Sequence, residues 1–170
     1  MMMTFDLGVA EACLKKHFGH SKFRPLQIEI LRSIMRREDT LALMATGAGK
    51  SLLYQFPSLL LEELRPGTRS TTLVVSPLIS LMADQVMHLA NTTCRACVLN
   101  SAQHDKGVWA AAAAGEYHVI YSTPETVLNW LPKLVILAQK GQLDLIAIDE
   151  AHCGESLLTE ESDVYQVHWA

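Results

Sequence analysis

The sequence predicts an open α/β domain in which a parallel sheet is covered by helices on both faces. Three observations carry this. Apolar strand-like runs (TLALM, TTLVVS, YHVIYS, LDLIAIDE) alternate with helix-like segments, the pattern of parallel strands joined by crossover helices. Several runs are continuously apolar, as strands buried on both faces are. A glycine-rich stretch, MATGAGKS (residues 44–51), leads from the first run into a helical segment, and such sheets bind ligands at the carboxyl ends of their strands.

In order along the chain, residues 9–18 read as a short helix, with Ala12 and the Leu14/Lys15 region setting its faces. The loop GHSKFRP leads to Pro25 in the first turn of a second helix, where its missing N–H costs nothing. Leu26, Ile30 and Ile34 recur every four residues and mark that helix's buried face. Residues 40–44 form a strand. Residues 51–63 form a helix in which Pro57 predicts a kink or an early break. Then come a strand (71–76), a helix (79–90), a strand (94–99), an alanine-rich helix (104–114) and a strand (117–122). Helical material over 125–140 is interrupted by Pro132, and a strand over 143–150 closes the series. LRPGTRS (64–70) is a solvated connection. Beyond Cys153, GESLLTEESDVYQVHWA shows neither clean periodicity nor a strand, and reads as a short helix or a loose tail. The chain thus divides into a domain over 1–153 and a divergent tail over 154–170.

The 170 residues, 49% of them hydrophobic, suit one domain with a sizeable core and argue against wholesale disorder. Lys and Arg number 14 against 18 Asp and Glu, a net charge of -4. A nucleic-acid partner must therefore be held by a local patch or by backbone amides. Cys94 and Cys97 form a C-x2-C pair with no second pair at matching spacing, so buried free thiols are expected rather than a zinc site. The start MMMTFDLG lacks the features of a signal peptide, and no run approaches the about 18 apolar residues of a membrane span. A soluble intracellular protein without membrane contact is the expectation.

Gly47, Ala48 and Gly49 are small enough to wrap backbone N–H groups around a phosphate at the start of the following helix. Lys50 would face the outer phosphates and Ser51 would offer its hydroxyl to Mg²⁺. A plain glycine turn is the alternative, and the position of GKS at a strand-to-helix switch argues against it. Asp149 ends an apolar strand and is the expected holder of Mg²⁺, directly or indirectly, with Glu150 beside it to polarise the attacking water. An acidic pair capping a helix is the alternative there. His152 is a candidate for coupling the γ-phosphate to a second domain. Met44 stands where the common phosphate-loop pattern wants glycine.

On these residues the chain resembles the superfamily 2 helicases. In the form MATGAGKS with IDEAHC it resembles the RecQ family of DNA helicases, most closely the Werner-type members, in which the Met44 position is not the required glycine. The resemblance implies a RecA-like fold, with ATP and Mg²⁺ used to unwind DNA in the 3′-to-5′ direction, and the nucleus as location, though no import signal is visible. It assigns Thr46 through Ser51 to the cofactor loop and catalytic roles to Lys50, Asp149, Glu150 and His152. FGHSKFRPLQ resembles the segment that precedes this loop in the family. It implies adenine recognition by the Gln27 amide, with Arg24 supporting the nucleotide and His20 at a position usually aromatic or His. VVSPLISLMADQV resembles the first DNA-contacting motif, with Ser76 and Pro77 positioned for a DNA phosphate; Gln85, on the helix after them, reads equally as a surface residue. LNSAQ and YSTPE resemble the next two segments, the second implying backbone contact and structural support from Thr123 and Glu125.

After Cys153 the likeness stops. The family's aromatic-rich loop and its Ser/Thr-Ala-Thr motif find no match, and Trp169 lies too far along to replace the former. The second motor lobe, with its cross-cleft arginines, is required for full activity. These residues alone are expected to hydrolyse ATP weakly or not at all and not to unwind DNA. The partner expected is single-stranded or forked DNA. A non-catalytic nucleotide- or DNA-binding module and an RNA-helicase lobe are the alternatives, and FRPLQ with the Cys after DEAH points away from the latter.

Overall fold

The computed structural model describes residues 5–45 and 47–149, and the backbone alone of 162–169. Helix α1 (Leu7–Phe18) begins where Asp6 supplies a cap: its carboxylate accepts the Val9 N–H, and Gly19 at φ 75 ends the helix by donating to the Lys15 carbonyl. Helix α2 (Pro25–Met35) opens on its proline. Its buried face is Gln27, Ile30, Leu31 and Ile34, whereas Leu26 is 45% exposed. The expected Leu26–Ile30–Ile34 stripe is thus corrected. The face runs i, i+3, i+4, i+7 and starts on a polar residue, because Gln27 Oε1 accepts the Arg24 N–H at 2.8 Å and its burial is thereby satisfied.

There follow β1 (Thr40–Ala45), α3 (Leu52–Leu64), β2 (Thr71–Val75), α4 (Ile79–Leu89), β3 (Ala96–Leu99), α5 (Lys106–Ala113), β4 (Val119–Ser122), α6 (Pro124–Gln139), β5 (Leu143–Ile148) and β6 (Ser162–Trp169). The sheet order is β1-β6-β5-β2-β4-β3. Strands β5, β2, β4 and β3 pair in parallel, and β6 runs antiparallel to both β1 and β5. β1 therefore points the same way as the other four. This is the expected RecA-like α/β fold, with one reversed strand inside it. Strand β6 overturns the reading of the stretch after Cys153 as helix or loose tail. Val164, Tyr165, Val167 and Trp169 are strand-favouring types, a signal that the reading passed over, and pairing on both edges completes the strand.

Helices α1 to α4 cover one face, packing on Ala42, Met44, Val74, Val119, Tyr121, Leu145 and Ala147. Helices α5 and α6 cover the other, over Leu73, Cys97, Leu99, Ile120 and Leu143. Strands β2 and β4 are accordingly buried on both sides, as expected. β1 is not: Leu41 and Leu43 are 64% and 58% exposed, because the α5–α6 layer draws its sheet residues from β2 to β5.

Neither proline breaks its helix. α3 continues through Pro57 because every residue from Leu53 to Leu61 is buried, and that packing outweighs the roughly 3 kcal/mol an interior proline costs. α6 continues through Pro132 because Leu134 and Leu137 anchor the following turns in the core. Cys13, Cys94 and Cys97 are free and buried, as read from the sequence. Burial above all pushes each thiol up to about 12, so they pack as inert side chains. Cys153 lies outside the described residues.

A buried histidine joins α3 to the start of β4. His118 is 5% exposed, and its Nδ1 accepts the Arg95 N–H at 2.9 Å. The proton therefore sits on Nε2, which donates to Glu62 Oε2 at 3.2 Å. Burial lowers its pKa first, opposed by Glu62 and assisted by Arg95 and His17. The folded pKa is below the unfolded one, so the neutral ring's contribution is complete above about pH 6.5 and is lost as pH falls below it. Melts between pH 7.5 and 5 should show stability declining by up to about 1.4 kcal/mol per pH unit from this group, and His118→Gln should flatten that slope.

Candidate nucleotide-binding site

Beyond β1 the chain turns through Gly47 (φ 78) and Gly49 (φ 83) into α3. A left-handed backbone is the reason glycine stands at both positions. Gly49 meets a second demand, since a Cβ there would lie 2.5 Å from Gln27 Nε2. The loop's carbonyls are tied back to the start of α2: Arg24 Nη1 donates to Gly47 O at 2.8 Å and Gln27 Nε2 to Gly49 O at 3.0 Å. Its amides are turned the other way. Among the described residues the N–H groups of Gly49, Ser51 and Leu52 have no acceptor, and such donors at a helix start form an anion site.

Asp149 stands opposite, just past β5, where its N–H donates to the Val75 carbonyl at 2.9 Å and fixes it beside the end of β2. It is 3% exposed. Lys50 Nζ lies 3.0 Å from its Oδ1, and the Tyr54 hydroxyl donates to its Oδ2 at 3.0 Å. Tyr54, one turn after Lys50 on α3, also shares a hydrogen bond with Ser51. Burial first, then the neighbouring Tyr121 and Asp149, holds the Tyr54 phenol well above its ordinary range, so it remains a donor. Tyr54→Phe should cost about 1–3 kcal/mol in urea denaturation, because it strips a donor from a buried carboxylate.

The loop and the carboxylate share a cavity of ≈ 280 Å³ walled by Gly47, Gly49, Lys50, Ser51, Leu81, Gln85 and Asp149. Beneath it, Gln55 Nε2 donates to Gln85 Oε1 and to the Tyr121 hydroxyl, both at 2.9 Å, joining α3, α4 and β4 under one wall.

A family model described as DEAD/DEAH box helicase matches residues 24–168. The chain belongs to the DEAD/DEAH box helicase family. Within that family its similarity runs to RecQ-type DNA helicases. The bifunctional 3′-5′ exonuclease/ATP-dependent helicase WRN of Mus musculus is 44% identical over 142 residues, which is 83% of this chain and 10% of the relative. The ATP-dependent DNA helicase Q-like SIM of Arabidopsis thaliana is 43% identical over 82% of this chain and 16% of its own length. The ATP-dependent DNA helicase RecQ of Bacillus subtilis (strain 168) is 38% identical over 85% and 24%. The chain therefore spans between a tenth and a quarter of these relatives' lengths.

The fold brings Arg24, Gln27, Gly47, Gly49, Lys50, Ser51 and Asp149 together. Ala48 packs half-buried against the core, and Met44 is buried below the loop at 3% exposure rather than lining it. His20 is exposed and makes no hydrogen bond among the described residues. Ser76 is buried at the end of β2 with its Oγ accepting the Leu78 N–H at 3.3 Å, and Pro77 beside it is exposed. Thr123 caps α6, its Oγ1 accepting the Thr126 N–H at 3.4 Å, which commits that hydroxyl to the helix. Thr46, Glu150 and His152 lie outside the described residues. The sequence reading missed Tyr54, which stands in the first turn of α3, four residues after Lys50. It left Gln85 undecided between surface and site, and its neighbour Gln55 supplies the difference. No described helix is long and apolar enough to cross a membrane.

Proposed function

We propose that this chain is the ATP-binding motor lobe of a DNA helicase. The observation that carries the reading is the Lys50–Asp149 pair, 3.0 Å apart in one cavity with a loop whose Gly49, Ser51 and Leu52 N–H groups have no acceptor among the described residues. Cation, carboxylate and amides are the donor set that a nucleoside triphosphate with Mg²⁺ requires, and family membership implies that pair of cofactors. When bound, Mg-ATP supplies an activated phosphoanhydride and a divalent charge that polarises it. The loop amides hold the phosphates, and Lys50 exchanges Asp149 for them. Ser51 and Asp149 hold the metal. Gln27, Arg24 and His20 face the base side, Glu150 orients the attacking water, and His152 passes the state of the site onward. Ser76 and Thr123 meet a DNA phosphate from the ends of β2 and β4, Ser76 through its hydroxyl hydrogen and Thr123 through its backbone N–H, with Pro77 in contact beside them.

Translocation in the 3′-to-5′ sense and full turnover belong, in this reading, to the assembly of this lobe with a second one. Titration with a fluorescent ATP analogue, with and without Mg²⁺, followed by single-stranded DNA and RNA of equal sequence, tests it. Saturable, Mg²⁺-dependent nucleotide binding and a preference for DNA are expected. A folded chain that ignores the nucleotide overturns the reading, and a preference for RNA transfers the lobe to the RNA helicases.

A further inference from the structure

Two indole rings meet at the end of the sheet remote from the phosphate loop. Trp109 on α5 and Trp130 on α6 stand edge to face, with ring centres 6.1 Å apart and planes at 68°. Both are half-buried. Together with Asn100, Gln103, Thr126 and Asn129 they line a pocket of ≈ 340 Å³, within the lower range of small-ligand sites.

One side of this pocket is fixed by its own hydrogen bonds. Trp109 Nε1 donates to the Gln103 carbonyl at 3.0 Å, and the Gln103 amide is tied to Val98 O at 3.3 Å and to the Asp105 N–H at 3.1 Å. The other side keeps its polar capacity. Asn100 is 7% exposed, and its Oδ1 accepts the Ala102 N–H at 2.9 Å, while its Nδ2 has no partner among the described residues. Trp130 Nε1 likewise has none. An accessible amide donor beside two indole rings at the mouth of such a pocket suits a flat, polar-edged ring.

Location narrows the ligand. Asn100 follows β3 and Thr126 lies in the first turns of α6 after β4, so the pocket opens at the carboxyl ends of the parallel strands, the edge that carries Ser76 and Asp149. Five strand spacings separate β1 from β3 in the sheet order. At about 4.8 Å each, the pocket is roughly 24 Å from the phosphate loop and is a separate site. Lys106 and Lys133 are exposed three residues from Trp109 and Trp130, on the same helix faces.

We propose that this pocket takes one unstacked nucleobase of a nucleic-acid single strand. The base lies against an indole face and offers an acceptor to Asn100 Nδ2, and Lys106 and Lys133 meet the flanking phosphates. Stacking of this kind tolerates any base, and it suits a chain whose net charge of -4 provides no general attraction for a strand. The proposal rests on the reading of the chain as a nucleic-acid motor lobe.

The test uses the chain itself with a short oligothymidylate and an abasic strand of equal length. The oligothymidylate should quench tryptophan fluorescence and bind more tightly than the abasic strand. Trp130→Leu should weaken its binding by about 5- to 150-fold, with Trp130→Phe close to wild type and affinity for the ATP analogue unchanged in both. Equal affinity for the two strands, or for wild type and Trp130→Leu, overturns the pocket while leaving the nucleic-acid reading intact. Failure of both strands to bind a chain that still takes nucleotide removes the two together. Should Trp130→Leu not fold, the wild-type comparison of the two strands decides the matter.

Discussion

Lys50→Ala is expected to lower affinity for Mg-ATP by about 10- to 150-fold, the worth of one charge-assisted hydrogen bond. The same substitution should destabilise the nucleotide-free protein. Asp149 is 3% exposed and would keep the Tyr54 hydroxyl but lose the ammonium 3.0 Å away. Removing one member of a buried pair costs about 3–5 kcal/mol. The two effects separate in the double variant: Lys50→Ala with Asp149→Asn should regain most of the stability and none of the affinity. Urea denaturation and titration with a fluorescent ATP analogue read the two quantities independently. Unchanged nucleotide affinity in Lys50→Ala would sink the assignment of this loop.

Gly49→Ala should be the more damaging of two superficially equal loop substitutions. Gly47 and Gly49 both have left-handed φ, so alanine at either costs about 1–2 kcal/mol in backbone strain. At Gly47 a Cβ meets nothing within 4 Å, whereas at Gly49 it meets Gln27 Nε2 at 2.5 Å. Gln27 must then release Gly49 O and, with it, the bond that closes the start of α2. A total of roughly 2–4 kcal/mol is expected for Gly49→Ala, the added part being one buried hydrogen bond. Gln27→Ala should abolish the difference between the two glycine variants in thermal melts, because the obstacle is then gone.

Much of this architecture was readable because each signal was local. Strand runs and helix starts depend on neighbours a few residues apart, and those read from the sequence before Cys153 are observed with ends shifted by up to two residues, as at α1 (Leu7 rather than Val9) and β3 (Ala96 rather than Cys94). What the pattern misjudged depends on distant partners. Pro57 and Pro132 read as breaks until burial on either side of them is known. Leu26 looked like core, yet it is exposed and Gln27 is buried in its place, because the loop more than twenty residues on accepts the Gln27 amide. Tyr54 and Gln85 are tied to the site through distant partners, Asp149 and Gln55. Strand β6 has only the short signature VYQVHW, cut off from the other strands in sequence, and is completed by pairing with β1 and β5.

That last strand has a kinetic consequence. Among the described residues β1 is tied to the sheet through β6 alone, by pairs such as Thr40 with Val167, more than a hundred residues apart in sequence. Closing so long a loop is entropically expensive and contacts of that range form late. The platform beneath the phosphate loop is therefore secured near the end of folding. The amides of residues 40–45 should exchange with solvent in step with those of 162–169, as one cooperative unit. Nucleotide affinity then serves as a timer: during refolding it should appear only after the rest of the sheet has acquired its protection.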